Sequence, residues 1–82
     1  EGCPWDREQT PLTMRAPLIE ETFEAVDAIS NEDANHTKEE LGDVFLNASM
    51  ISIMYEENDD FSIVQVLNEV CDKIILRHPH KQ

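Results

Sequence analysis

The 82-residue chain has the length of one small domain, near the limit where a single core suffices and association supplies missing burial. Eighteen acidic residues against six basic leave a formal net charge of -12. That balance excludes the basic face which nonspecific binding to nucleic-acid polymers or anionic membranes requires.

No apolar run approaches ~18 residues, so no membrane span is expected, and no signal-peptide pattern is present. Cys3 and Cys71 form neither a CxxC pair nor a dense framework, which makes a reduced, cytoplasmic setting the default. A chain that starts at Glu1 rather than Met implies upstream residues.

Residues 1–16 hold Pro4, Trp5, Asp6 and Pro11 and read as a loop, with a helical turn from Asp6 to Thr10 capped by Asp6. Trp5 suits either a lid on the core or a platform for a flat ligand. The first helix is expected from Pro17, a residue favoured in the first helical position, to about Ile29. Its apolar stripe is Leu18, Ile19, Phe23, Val26 and Ile29, with Glu20, Glu21, Glu24 and Asp27 beside it. Ser30 to Asn35 is a polar break.

The second helix opens between Asn35 and Thr37 and ends near Glu57. Thr37-x-x-Glu40 matches a capping box, which gives Glu40 a purely structural reading. Gly42 lies inside the helix at a cost of ~1 kcal/mol relative to Ala, so either a close approach or plain packing is expected there. Leu41, Val44, Phe45, Ala48, Ile51 and Met54 are core candidates; Leu46, Met50 and Ile53 widen the apolar surface beyond what one hairpin needs.

Glu56 to Asp60 forms an acidic turn. An EF-hand loop starting at Asn58 is rejected, because Ile63 stands where that loop needs Gly. Ser62-x-x-Gln65 is a second capping box, and a third helix runs from Ile63 to about Arg77, with Val66, Leu67, Val70, Cys71 and Ile74 inward. Pro79 stops it. Lys73, Arg77 and Lys81, with His78 and His80, form the basic tail, suited to a helix C-terminus or to a phosphate contact. His78-x-His80 lacks the further partners of a zinc site.

Two acidic motifs therefore sit on either side of one bend. Glu21/Glu24 and Glu40/Asp43 are i, i+3 pairs, each on one helical face. An antiparallel hairpin bent at residue 32 places Glu21 opposite Asp43 and Glu24 opposite Glu40, with helix axes about 8–10 Å apart. Like charges 4–5 Å apart repel by roughly 3–4 kcal/mol at an effective dielectric near 20. No Lys or Arg lies between Arg15 and Lys38 to offset this. The remedies are raised pKa values or bound cations, and oxygen-only ligands suit Mg2+ or Mn2+.

The blocks Cys3-Pro4-Trp5-Asp6-Arg7-Glu8-Gln9-Thr10, Leu18-Ile19-Glu20-Glu21-Thr22-Phe23-Glu24, Glu39-Glu40-Leu41-Gly42-Asp43-Val44 and Arg77-His78-Pro79-His80 resemble, in order, those of the MazG family. The likeness covers residues 2–80 of a single domain spanning 1–82. It implies an all-α fold, a helical hairpin plus a further helix, in a bundle completed by dimerisation or by a dimer of dimers. It also implies Mg2+-dependent hydrolysis of a nucleoside triphosphate between the α- and β-phosphates, giving a monophosphate and pyrophosphate. By the motif, Glu21, Glu24, Glu40 and Asp43 are the metal ligands and Glu20 an auxiliary carboxylate that orients water. Trp5, Asp6, Gln9 and Thr10 lie by the nucleotide, and Lys73 and Arg77 by the phosphates.

The chain departs from the family pattern at three places. Leu76 replaces a first arginine, Pro11 a histidine after Gln9-Thr10, and Lys81-Gln82 an apolar pair. The alternative reading is a non-catalytic helical nucleotide-binding or interaction module that keeps the fold and metal site.

Overall fold

The computed structural model describes residues 9–77, and these form three helices and no strand. Helix α1 spans Arg15–Ser30, α2 spans Ala34–Glu57 and α3 spans Ile63–Arg77. The all-α expectation therefore holds. Helices α1 and α2 form the hairpin, while α3 packs against α2 and makes no contact with α1.

Helix α1 starts at Arg15 rather than Pro17, because a turn over residues 11–14 feeds directly into it. Met14 N–H donates to Thr10 O at 3.0 Å, and Arg15 N–H to Leu12 O at 3.4 Å. Pro17 then lies in the first helical turn, where a missing N–H costs nothing. Thr10 and Thr13 brace the turn reciprocally: Thr10 N–H donates to Thr13 Oγ1 at 2.9 Å, and Thr13 N–H to Thr10 Oγ1 at 3.2 Å.

The bend is tighter than the six-residue break suggests. Glu32 N–H donates to Ile29 O and Asp33 N–H to Ala28 O, at 2.9 and 3.2 Å, with Glu32 in the left-handed region at φ 57°. This is a Schellman motif in which Glu occupies the position usually held by Gly. Asp33 then caps the next helix, its Oδ1 accepting from His36 N–H at 3.1 Å. Thr37 is thus not the cap. It lies inside α2 with its hydroxyl donating to Asp33 O at 2.7 Å, and the expected Thr37–Glu40 capping box does not form.

The second joint repeats the device. Asp59 (φ 64°) N–H donates to Glu56 O at 3.0 Å, and Asp60 N–H to Tyr55 O at 3.0 Å. The Ser62–Gln65 capping box forms as expected: Gln65 N–H donates to Ser62 Oγ at 3.1 Å, and Ser62 N–H to Gln65 Oε1 at 2.8 Å. Phe61 stacks on Tyr55 with ring centroids 4.8 Å apart, which ties the start of α3 to the end of α2.

Burial departs from the expected stripes. Among the described residues the buried apolar side chains are Met14, Ala25 and Ala28. On α1, Ile19, Phe23, Val26 and Ile29 are exposed and Leu18 is half-buried; on α2, Leu41, Phe45 and Ala48 are exposed, while Val44, Ile51 and Met54 are half-buried. The α3 residues Val66, Leu67, Val70, Cys71 and Ile74 are also exposed. The cause is helix rotation. The face of α1 that packs on α2 carries Ala25, Ala28 and Glu21, which leaves the bulky side chains outward. Gly42 reflects no close approach of α1, since a Cβ there would meet nothing within 4 Å. The radius of gyration, 15.6 Å, exceeds the roughly 11–12 Å of a compact chain this long.

Candidate metal centre

The shared face of the hairpin gathers the acids. Glu21, Glu24 and Glu40 each offer a carboxylate oxygen, and these atoms lie within 4.8 Å of one another. Asp43, exposed on α2, adds its charge beside Glu21. Helical i, i+3 spacing puts Glu21 and Glu24 on one face of α1 and the bend returns Glu40 of α2 beside them, while Asp43 stands outside the group of mutually close oxygens. Glu20 lies one residue round the helix from Glu21 and is exposed, outside the close group.

The electrostatics bear the mark of crowding. Burial raises the Glu21 pKa above the ordinary carboxylate value, and the charge of Asp43, a hydrogen bond to and the charge of Glu40 across the hairpin, and the charge of Glu24 on the same helix raise it further. Glu40 is the buried polar residue of the hairpin, 9% exposed. Its Oε2 lies 3.1 Å from His36 Nε2, the one contact between a carboxylate and a basic side chain among the described residues. Its Oε1 is buried without a hydrogen-bond partner. An orphaned, buried carboxylate oxygen is costly unless something positive takes it. The three mutually close ligand atoms are carboxylate oxygens and no Lys or Arg enters the group, so a hard divalent cation fits.

The other expected site residues are dispersed. Trp5 and Asp6 lie outside the described residues. Gln9 Oε1 accepts from the Thr13 hydroxyl at 2.6 Å, and Thr10 braces the same turn, so both are engaged in shaping the entry to α1. Lys73 is exposed on α3, in a shallow groove with Phe61, Gln65, Val66, Glu69 and Val70. Arg77 ends that helix. Within the chain neither α3 residue is on an element that touches α1.

Two residues at the site were not singled out from sequence: Asp33, which caps α2, and His36, which bonds Glu40. The available signals were Asp33 three residues before His36, an N-cap spacing, and the i, i+4 interval from His36 to Glu40.

Residues 9–82 match the family described as the MazG nucleotide pyrophosphohydrolase domain. The chain is 41% identical over 98% of its length to a nucleoside triphosphate pyrophosphohydrolase/pyrophosphatase MazG of Thermotoga maritima, covering 31% of that protein. It is 39% identical over 96% of its length to a nucleoside triphosphate pyrophosphohydrolase of Escherichia coli, covering 30% of it. A protein named YabN of Bacillus subtilis is 40% identical over 96% of the chain, which covers 16% of it. The chain thus spans about a third or less of the length of these relatives. It belongs to the MazG nucleotide pyrophosphohydrolase domain family.

Proposed function

We propose that this MazG-family chain is a divalent-metal-dependent nucleoside triphosphate pyrophosphohydrolase domain. It cleaves between the α- and β-phosphates to give a nucleoside monophosphate and pyrophosphate. The observation that carries the reading is the convergence of Glu21, Glu24 and Glu40, with a buried Glu40 oxygen lacking any partner.

In this reading Glu21, Glu24, Glu40 and Asp43 hold the ion, Mg2+ first and Mn2+ next. When bound, the ion offsets charge on the attacked phosphate and the departing pyrophosphate and makes water a better nucleophile near neutral pH. Glu20, exposed beside the group, orients the attacking water. Trp5, Asp6, Gln9 and Thr10 border the nucleotide, and Lys73 and Arg77 meet the phosphates. Little covalent chemistry falls to the protein, so positioning and charge are its contribution. The exposed faces of α1, α2 and α3 support a homodimer, or a dimer of dimers, in which a second copy covers them and α3 reaches the hairpin. The setting is the cytoplasm. Among the described residues, no helix is long and apolar enough to cross a membrane.

The test is pyrophosphate release by the purified protein with Mg2+ and a panel of ribo- and deoxyribonucleoside triphosphates. Release is expected from the wild type and not from the Glu24→Gln, Asp43→Asn double variant. Equal release from both overturns the reading. A second reading is a nucleotide-binding or interaction module without turnover, favoured by the separation of Lys73 from α1. Calorimetry that finds tight Mg2+-nucleotide binding without product selects it.

A further inference from the structure

His36 occupies the third position of α2, and its surroundings are unusually determined for a half-exposed side chain. Its backbone N–H is held by Asp33 Oδ1 at 3.1 Å, so the imidazole leaves the helix from a pinned point. Its Nε2 lies 3.1 Å from Glu40 Oε2, one helical turn on. A glutamate that ligates a cation is ionised and only accepts hydrogen bonds, so in that state Nε2 carries the hydrogen in this contact. The two oxygens of Glu40 are thereby made unequal. Oε2 is satisfied by the imidazole, whereas Oε1 is buried and unpartnered. The ring also borders a surface recess with Phe23, Glu24 and Asp27, which places it at the rim of the acid group. It is not one of the group, whose mutually close ligand atoms are those of Glu21, Glu24 and Glu40.

We propose that His36 is a positioning residue for the metal centre: its Nε2–H holds Glu40 Oε2 and so presents Oε1 to a divalent cation. This rests on the reading of the acid group as a metal centre. A glutamate has several rotatable bonds, and one that ligates an ion works best when an outer hydrogen bond has already fixed its rotamer. Loss of such outer partners typically costs 10–100-fold in metal affinity. The plain alternative is an i, i+4 pair that does no more than support the first turns of α2. The two differ in what removal of the imidazole affects, since helix support changes metal-free stability and positioning changes ion affinity.

The experiment is Mn2+ titration of the metal-free protein, read from the loss of the free-ion electron paramagnetic resonance signal. It compares wild type, H36A and H36Q, with metal-free melting measured on each. Glutamine sets an amide N–H near the place of Nε2. The expected result is an affinity about 10–100-fold weaker in H36A and largely restored in H36Q. Wild-type affinity in H36A overturns the inference and leaves the metal centre standing. Equal weakening in H36A and H36Q makes the imidazole itself the requirement and also overturns it. Absence of Mn2+ binding by the wild type overturns both the metal centre and the role of His36. Should H36A fail to fold, H36L takes its place, keeping bulk without an N–H: weakened Mn2+ affinity upholds positioning and wild-type affinity refutes it.

Discussion

The two sides of α1 distribute their residues in opposite ways. Toward α2 the helix presents half-buried Glu21 and the small Ala25 and Ala28, with Glu24 joining the acids at the margin. Away from α2 it presents Ile19, Phe23, Val26 and Ile29, with Phe23 70% exposed. Helix α2 does likewise, burying Glu40 and leaving Phe45 71% exposed. A chain that maximised its own burial would turn both helices the other way. The difference teaches that the inner side is arranged for charge and the outer side for covering. The inner side costs stability through crowded carboxylates, and the outer side can return it only through further burial.

The most severe break of the inner side is Glu21→Gln. Pyrophosphate release should fall by at least ~100-fold, beyond the loss expected for an outer hydrogen bond alone. Metal-free stability should move the other way. Unfolded, Glu21 titrates near 4.5; folded, its pKa is higher. Between those values the folded state keeps a proton that the unfolded state has released, so this group lowers stability as pH rises through the window. The metal-free melting temperature of E21Q should exceed that of wild type at neutral pH, with the two curves meeting near pH 4.5 and below.

The outer side is broken by Phe45→Glu. If a second copy covers this face, sedimentation should find a dimer for wild type and a monomer for the variant. A wild type that stays monomeric at high concentration would remove the reason given for the exposed faces. Ala28→Leu probes how tightly the inner side is filled. Ala28 is fully buried, and the added bulk should cost about 1–3 kcal/mol in urea unfolding. The smallest effect concerns the bend. Glu32→Gly relieves a left-handed residue at φ 57° and should raise stability by up to ~1 kcal/mol, seen as a modest increase in melting temperature.

Much of this comparison was legible in the chain. The i, i+3 acid pairs and a short polar break suffice to predict that Glu21, Glu24 and Glu40 converge, because helical pitch and an antiparallel bend leave little freedom. The Ser62–Gln65 box was legible for the same local reason. The rotation of α1 was not. An apolar stripe reads as a core only when the chain supplies its own cover, and Ile19, Phe23, Val26 and Ile29 have none within the described residues. The caps were half legible. Thr37-x-x-Glu40 fits the capping pattern, but Asp33 lies four residues earlier and captures the helix start, since the preceding Schellman turn already orients it. Glu32 and Asp59 hid those turns by standing where glycine is the usual signal.

Asp33 has a consequence beyond the bend. Its N–H closes α1 and its carboxylate opens α2, so one residue is the pivot shared by both arms. The gap between the jaws is then gauged by main-chain bonds several residues away, before any ion arrives, and capture need not freeze loose chain. A joint so short converts errors of length into errors of angle: one residue forced into either arm would swing the carboxylates beyond it by about 100°.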